Sequence, residues 1–171
     1  MRILSIVTCL AVLGGCSIQS SQLSAVMDYI NTPPNDLSLN SWSVKYAGYE
    51  TIVYPVSLPK GTLFSNQSGD QVLFDGWTVR RVSGLGVGDL AYQNTDEASQ
   101  RSFVRGVRTV AVHSCDEWKQ QENFGKKQFS QLCKGDNIYT NSILVDENGN
   151  IVVIQQIVDD RNEPLILTKL N

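Results

Sequence analysis

From Ser41 to its end the chain is written in short runs of Val, Ile, Tyr, Trp and Thr, broken by Gly, Asn and Asp at intervals of roughly ten residues. Runs this short are strand-length, because a helix in a globular domain needs about ten or more residues of unbroken period. The spacing predicts an all-β domain over residues 41–171, a mainly antiparallel sheet arranged as a sandwich or an open barrel. The predicted strands are 42–47, 50–58, 71–74, 77–82, 103–114, 128–132, 137–146, 151–158 and 164–170. Gly48 and Gly76 fall at turn or bulge positions.

The sharpest local expectation is a hairpin around Asn148-Gly149. Asn-Gly is favoured in two-residue turns because both central residues take positive φ, which these two tolerate best. With Glu147 opposite Asn150, one face pairs Val145 with Val152, Ile143 with Ile154, Asn141 with Gln156 and Tyr139 with Val158. Leu144 with Val153, Ser142 with Gln155 and Thr140 with Ile157 share the other face. Both faces are partly apolar, which places the hairpin centrally in the sheet. Gln155 and Gln156 interrupt the apolar run on opposite faces. One amide therefore points inward, where it is hydrogen-bonded internally or lines a polar cleft, since an unsatisfied buried amide costs about 1–3 kcal/mol.

Upstream, Arg2 precedes an apolar stretch from Ile3 to Leu13 interrupted only by Ser5, Thr8 and Cys9. The stretch is too short to cross a hydrocarbon core, which takes about 20 residues of helix. A positive residue ahead of a short apolar run that ends in small residues is the pattern of a secretory signal, so residues 1–15 are expected to be removed. Leu13-Gly14-Gly15-Cys16 resembles the lipobox of bacterial lipoproteins, which implies cleavage before Cys16 and acylation of its thiol. Each buried methylene contributes about 0.8 kcal/mol, so one chain holds weakly and the several chains implied by the resemblance hold durably. Ser17 follows the cysteine where enteric-type lipoproteins retained at the inner membrane carry Asp. That resemblance implies the bacterial outer membrane, with the domain on its periplasmic face. Residues 16–40 form the expected tether: Leu23, Val26, Met27 and Ile30 lie at helical spacing within 21–31, and Pro33-Pro34 ends the pattern.

With Cys9 removed and Cys16 acylated, Cys115 and Cys133 remain, and an even pair in an oxidising compartment points to a disulfide. The bridge closes a polar, weakly patterned loop over 116–132 and contributes about 3 kcal/mol on the chain-entropy model. A catalytic or metal-binding thiol would need a partner such as His113, the single histidine. A disulfide removes that dyad and leaves His113 a hydrogen-bonded strand residue.

The chain carries 14 Lys and Arg against 17 Asp and Glu, interspersed without runs, for a net charge of −3, so it has no electrostatic footprint for nucleic acid. It contains no Gly-x-Ser-x-Gly elbow, no His-Glu-x-x-His and no metal-ligand spacing, so no catalytic residue, metal or cofactor is expected. Gly84-Leu85-Gly86-Val87-Gly88 leads to Asp89 without a phosphate-loop lysine and reads as a turn or bulged strand. The acid pairs Asp116-Glu117, Asp146-Glu147 and Asp159-Asp160 sit at turns. Glycosidase carboxylates need a separation of about 5–10 Å, which only the fold would create.

Trp42, Trp77, Trp118 and the tyrosines Tyr46, Tyr49, Tyr54, Tyr92 and Tyr139 fill the core or stack on sugar rings. Arg80 and Arg81 are neighbours on one predicted strand, so they are expected to point to opposite faces and bring one guanidinium near the core or a cavity. Trp77, Arg80, Arg81, Gln155 and Gln156 make up the candidate ligand surface, with an anionic polymer as the expected ligand and internal pairing as the plain alternative.

The run Leu73-Phe74-Asp75-Gly76-Trp77-Thr78-Val79-Arg80-Arg81-Val82-Ser83-Gly84-Leu85-Gly86 resembles the signature of YjbF/GfcB-type outer-membrane lipoproteins. The closing part from Tyr139, with Asp146-Glu147-Asn148-Gly149-Asn150, Gln155-Gln156 and an apolar last strand, is similar to their C-terminal hairpin and tail. With the lipobox, these motifs cover about half the chain. The resemblance implies a β-rich periplasmic domain serving capsule or exopolysaccharide export, with no catalytic residues to carry over. Two functions are expected in consequence. One is a non-enzymatic accessory lipoprotein that binds an envelope export protein or the polysaccharide itself. The other is an envelope enzyme acting on polysaccharide through carboxylates that the fold unites.

Overall fold

The computed structural model describes residues 40–86, 90–94, 99–123 and 125–170. The signal segment, Cys16 and the tether through residue 39 lie outside the described residues. The strands are β1 (Trp42–Tyr46), β2 (Tyr49–Leu58), β3 (Gly61–Ser65), β4 (Gln71–Phe74), β5 (Val79–Ser83), β6 (Leu90–Asn94), β7 (Gln100–Arg105), β8 (Arg108–Cys115), β9 (Lys119–Asn123), β10 (Lys126–Lys134), β11 (Ile138–Val145), β12 (Ile151–Ile157) and β13 (Pro164–Lys169). The thirteen strands of the described residues belong to one antiparallel sheet ordered β11-β12-β13-β1-β2-β3-β4-β5-β6-β7-β8-β10-β9, with a further β10–β11 pairing. That last pairing brings the ladder back to its start. The sheet is thus curled round on itself, its ladder completed through the short β8–β10 contact, where Cys133 faces Cys115 and Lys134 faces Ser114. The expected all-β class is what the chain adopts.

Alternation along each strand sends one apolar set inside the curl. Trp42, Val44 and Tyr46 of β1 meet Val53, Phe64, Val72, Phe74, Val79, Val82, Phe103, Ile143, Ile154, Leu165 and Leu167 in one buried cluster. Trp42 meets Phe64 edge to face at 5.0 Å between ring centroids.

Three predicted features are corrected. The stretch 103–114, read as one strand, is broken at Gly106-Val107, where Arg105 faces Arg108 across a two-residue turn. Gly106 takes φ 63°, and the first central position is where such turns accommodate glycine; the apolar residues on both sides concealed the break. The stretch 116–132, read as a clamped loop, is mostly the hairpin of β9 and β10. Lys-Gln-Gln-Glu-Asn pairs through its backbone, so its strand carries no apolar signal. β3, which begins at Gly61, was likewise concealed; a Cβ on Gly61 would stand 2.1 Å from the Phe74 carbonyl oxygen, so only glycine lets the two strands approach.

The third correction is the turn at Asn148-Gly149. Gly149 has φ 84°, but Asn148 is not among the residues at positive φ. The Gly149 N–H donates to the Asp146 carbonyl at 3.1 Å, and the Asp146 carboxylate accepts the N–H groups of Asn148 at 2.9 Å and Asn150 at 2.8 Å. Asp146 thus selects a three-residue loop with glycine in the left-handed position. Val145 then faces Ile151 instead of Val152. A bulge offsets the added residue, so Ile143 faces Ile154, Leu144 faces Val153 and Ser142 faces Gln155 as the sequence predicted.

Candidate functional site

At the end of the curl where β1 begins, the loop from Asp75 to Thr78 joins β4 to β5. Asp75 organises it. Its Oδ1 accepts the N–H groups of Trp77 at 2.9 Å and Thr78 at 2.7 Å, its own N–H donates to the Thr78 carbonyl at 3.1 Å, and its Oδ2 pairs with Arg80. Burial alone would raise the Asp75 carboxyl, but the two N–H donors and the Arg80 guanidinium outweigh it and hold the group below the usual carboxylate range. From the opposite wall Gln156 on β12 donates Nε2–H to the Trp77 carbonyl at 2.7 Å and accepts the Val79 N–H at 3.0 Å. The backbone carrying Trp77 is therefore fixed from both sides, while the residue as a whole is 47% exposed.

That indole stands 5.6 Å from the Trp118 ring and 5.2 Å from the Phe129 ring, the latter edge to face. On the other flank of the loop is a cleft of ≈ 460 Å³. Trp42, Phe64, Phe74 and Ile154 form its apolar floor, and Asn150 and Lys169 stand on its rim with Asp75. The volume falls within the range of small-ligand sites, and apolar walls with a few polar groups are their usual chemistry. Among the described residues, Asp75 is the only carboxylate residue of its lining.

Deeper inside, polar side chains bond to one another. Arg101 on β7, 2% exposed, donates to Gln131 Oε1 at 3.1 Å and to Thr78 Oγ1 at 3.4 Å. Asn141 Nδ2 also reaches Gln131 Oε1 at 3.3 Å, and Asn141 Oδ1 accepts the Ile157 N–H at 3.0 Å. The Cys115–Cys133 bridge lies beside this network, with Cα atoms 4.0 Å apart. His113 is buried against Phe103 and Tyr139, and its Nδ1 is 2.7 Å from the Tyr139 hydroxyl. Burial lowers the His113 pKa and pushes the Tyr139 hydroxyl up to about 12.

The candidate surface divides accordingly. Trp77 is exposed and Gln156 is fully buried; they meet only through the hydrogen bond to the Trp77 backbone. Both ends of the Gln156 amide are satisfied internally, so it shapes the loop and lines no groove. Gln155 is half-buried on the other face of β12. The opposite-face expectation for Arg80 and Arg81 fails because a bulge sets Phe74 against Val79 and Leu73 against Arg81, turning both Val79 and Val82 inward. Arg80 is half-exposed against Asp75, Arg81 is exposed, and the arginine that enters the core is Arg101. Gly84, Leu85 and Gly86 all take positive φ, with Leu85 N–H held at 2.7 Å by the buried Asp70 carboxylate, so this part of the glycine-rich run is a turn. Residues 87–89 lie outside the described residues. Sequence reasoning missed Trp118 and Phe129 as partners of Trp77, because the contact depends on the unrecognised β9–β10 hairpin. The Asp75-Gly76 pair before Trp77 was the available signal for the fixed loop.

No family model matches the chain, and no curated protein matches it significantly. Among solved structures the chain is similar to the crystal structure of the hypothetical lipoprotein YmcC from Escherichia coli K12, with a TM-score of 0.59 and 11% sequence identity over 91% of this chain and 98% of that chain. The likeness establishes a shared fold.

Proposed function

We propose that the chain is a lipid-anchored protein of the bacterial outer membrane whose periplasmic β domain is a non-enzymatic accessory in capsule or exopolysaccharide export. The carrying observation is a tryptophan held rigidly by its backbone yet half exposed beside an aromatic-floored cleft. Packed on Trp118 and Phe129, Trp77 still turns about half of its surface to solvent; preorganisation lowers the cost of binding, and flat aromatic faces suit sugar rings. The Leu13-Gly14-Gly15-Cys16 motif and the resemblance of 73–86 to YjbF/GfcB-type lipoproteins support the anchor and the export role. A shared fold with YmcC, itself described as a hypothetical lipoprotein, agrees with them. Among the described residues the cleft lining carries one carboxylate residue, engaged with Arg80, which favours the binding reading over a glycosidase acting through paired acids.

The test is complementation of a strain lacking the chain. The wild-type chain restores surface polysaccharide, whereas Trp77→Ala, folded and membrane-associated, does not. Full restoration by Trp77→Ala overturns the proposed role of this end of the curl, the mouth formed by the Trp77 loop and the cleft beside it.

A further inference from the structure

The opposite end of the curl has a different surface. The β7–β8 turn projects Val107, 99% exposed, from a tip where turns ordinarily place polar residues. Directly behind it Arg105 and Arg108 face each other across the two strands, a like-charge pairing that is destabilising unless an anion compensates it. Arg105 has partners: Asp160 at 3.6 Å and the buried Asp159 at 3.9 Å. Asp159 is further occupied by Arg161 Nε at 2.9 Å and by the Tyr46 hydroxyl. Arg108 has no ion-pair partner among the described residues and lines an open hollow with Arg105, Thr109, Val110 and Asp160. Val110, in the same hollow, is itself 39% exposed.

We infer that this turn is a membrane-contact point, at which Val107 enters the headgroup boundary of an anionic lipid surface while Arg108, supported by Arg105, takes a headgroup phosphate. The pairing of an apolar tip with cations immediately behind it is what an interface requires: the side chain gains by leaving water, and each cation gains near anionic headgroups. The chemistry of the hollow is shared with free phosphate, but a free anion leaves Val107 unexplained, so the lipid surface is the occupant. The contact has an orienting consequence. Tyr46 and Asp159 lie at the far end of β1 from Trp42, so a domain resting on Val107 turns the Trp77 mouth away from the bilayer. Residues 16–39, with a maximum reach of about 80 Å, are long enough to permit that orientation.

The test is co-sedimentation of the unacylated chain from residue 16 onward, carrying Cys16→Ser, with vesicles of phosphatidylglycerol and phosphatidylethanolamine and with vesicles of phosphatidylcholine alone. Binding to the anionic vesicles is expected, with little to phosphatidylcholine. Val107→Asn, which suits the turn, should weaken it about tenfold without changing its salt dependence. Arg108→Gln should weaken it about fivefold and flatten the salt dependence. Equal binding by Val107→Asn and the parent, equal binding to both vesicle types, or no binding to either overturns the inference. So does displacement by millimolar inorganic phosphate with Val107→Asn unaffected, which would mark a site for the free anion.

Discussion

Gln156 holds the Trp77 carbonyl at 2.7 Å and the Val79 N–H at 3.0 Å, joining β12 to a loop on the opposite wall of the curl. Its side chain is fully buried, so no water is on hand to replace either bond. Gln156→Leu keeps the volume and strands both backbone groups, each worth about 1–3 kcal/mol when left unsatisfied. A lower midpoint in urea with an unchanged slope is expected; an unchanged midpoint would show that the loop holds itself.

His113 gives the domain a pH dependence with a defined sign. Burial lowers its pKa in the folded protein, so the unfolded chain binds the proton more readily. Stability is fully present above the unfolded value of about 6.5 and falls as pH drops below it towards the depressed folded value. It is the single histidine, so His113→Gln should remove most of the loss that sets in as pH falls below about 6.5 in urea titrations. A slope that survives the substitution would place its source elsewhere.

The bridge between Cys115 and Cys133 secures the β8–β10 closure across a sequence separation of 18. Reduction should cost about 3 kcal/mol on the chain-entropy model. Thiol labelling of the unfolded, unreduced chain should find neither residue reactive. Two reactive thiols would show the closure to be held by hydrogen bonds alone.

The Asp146–Asn150 loop separates two turn geometries. Gly149→Ala places a Cβ at φ 84° and should cost about 1–2 kcal/mol, whereas Asn148→Ala, outside the positive-φ set, should cost much less. Comparable losses at both positions would restore the two-residue turn.

These features also mark how far the sequence is legible. The β rhythm, the Ile143–Ile154 register and the cysteine pairing were readable, because period, turn residues and thiol number are local or compositional signals. The β9 pairing was not, since Lys-Gln-Gln-Glu-Asn forms its ladder by backbone alone. Trp77 could be singled out, but its contacts with Trp118 and Phe129 join β5's loop to a distant hairpin, and no local pattern encodes that meeting. The bulge after Leu73 hid the true direction of Arg80 for the same reason, being set by pairing with the neighbouring strand.

The most direct test of the mouth as a binding site is the ¹H–¹⁵N spectrum of the three tryptophan indoles during titration with oligosaccharides released from the producing bacterium's own surface polysaccharide. The indole signals of Trp77 and Trp118 should move together with added sugar, while the sugar's own resonances persist unchanged over hours. Indole signals that stay fixed, or sugar resonances that decay into shorter products, would contradict a non-enzymatic binding domain.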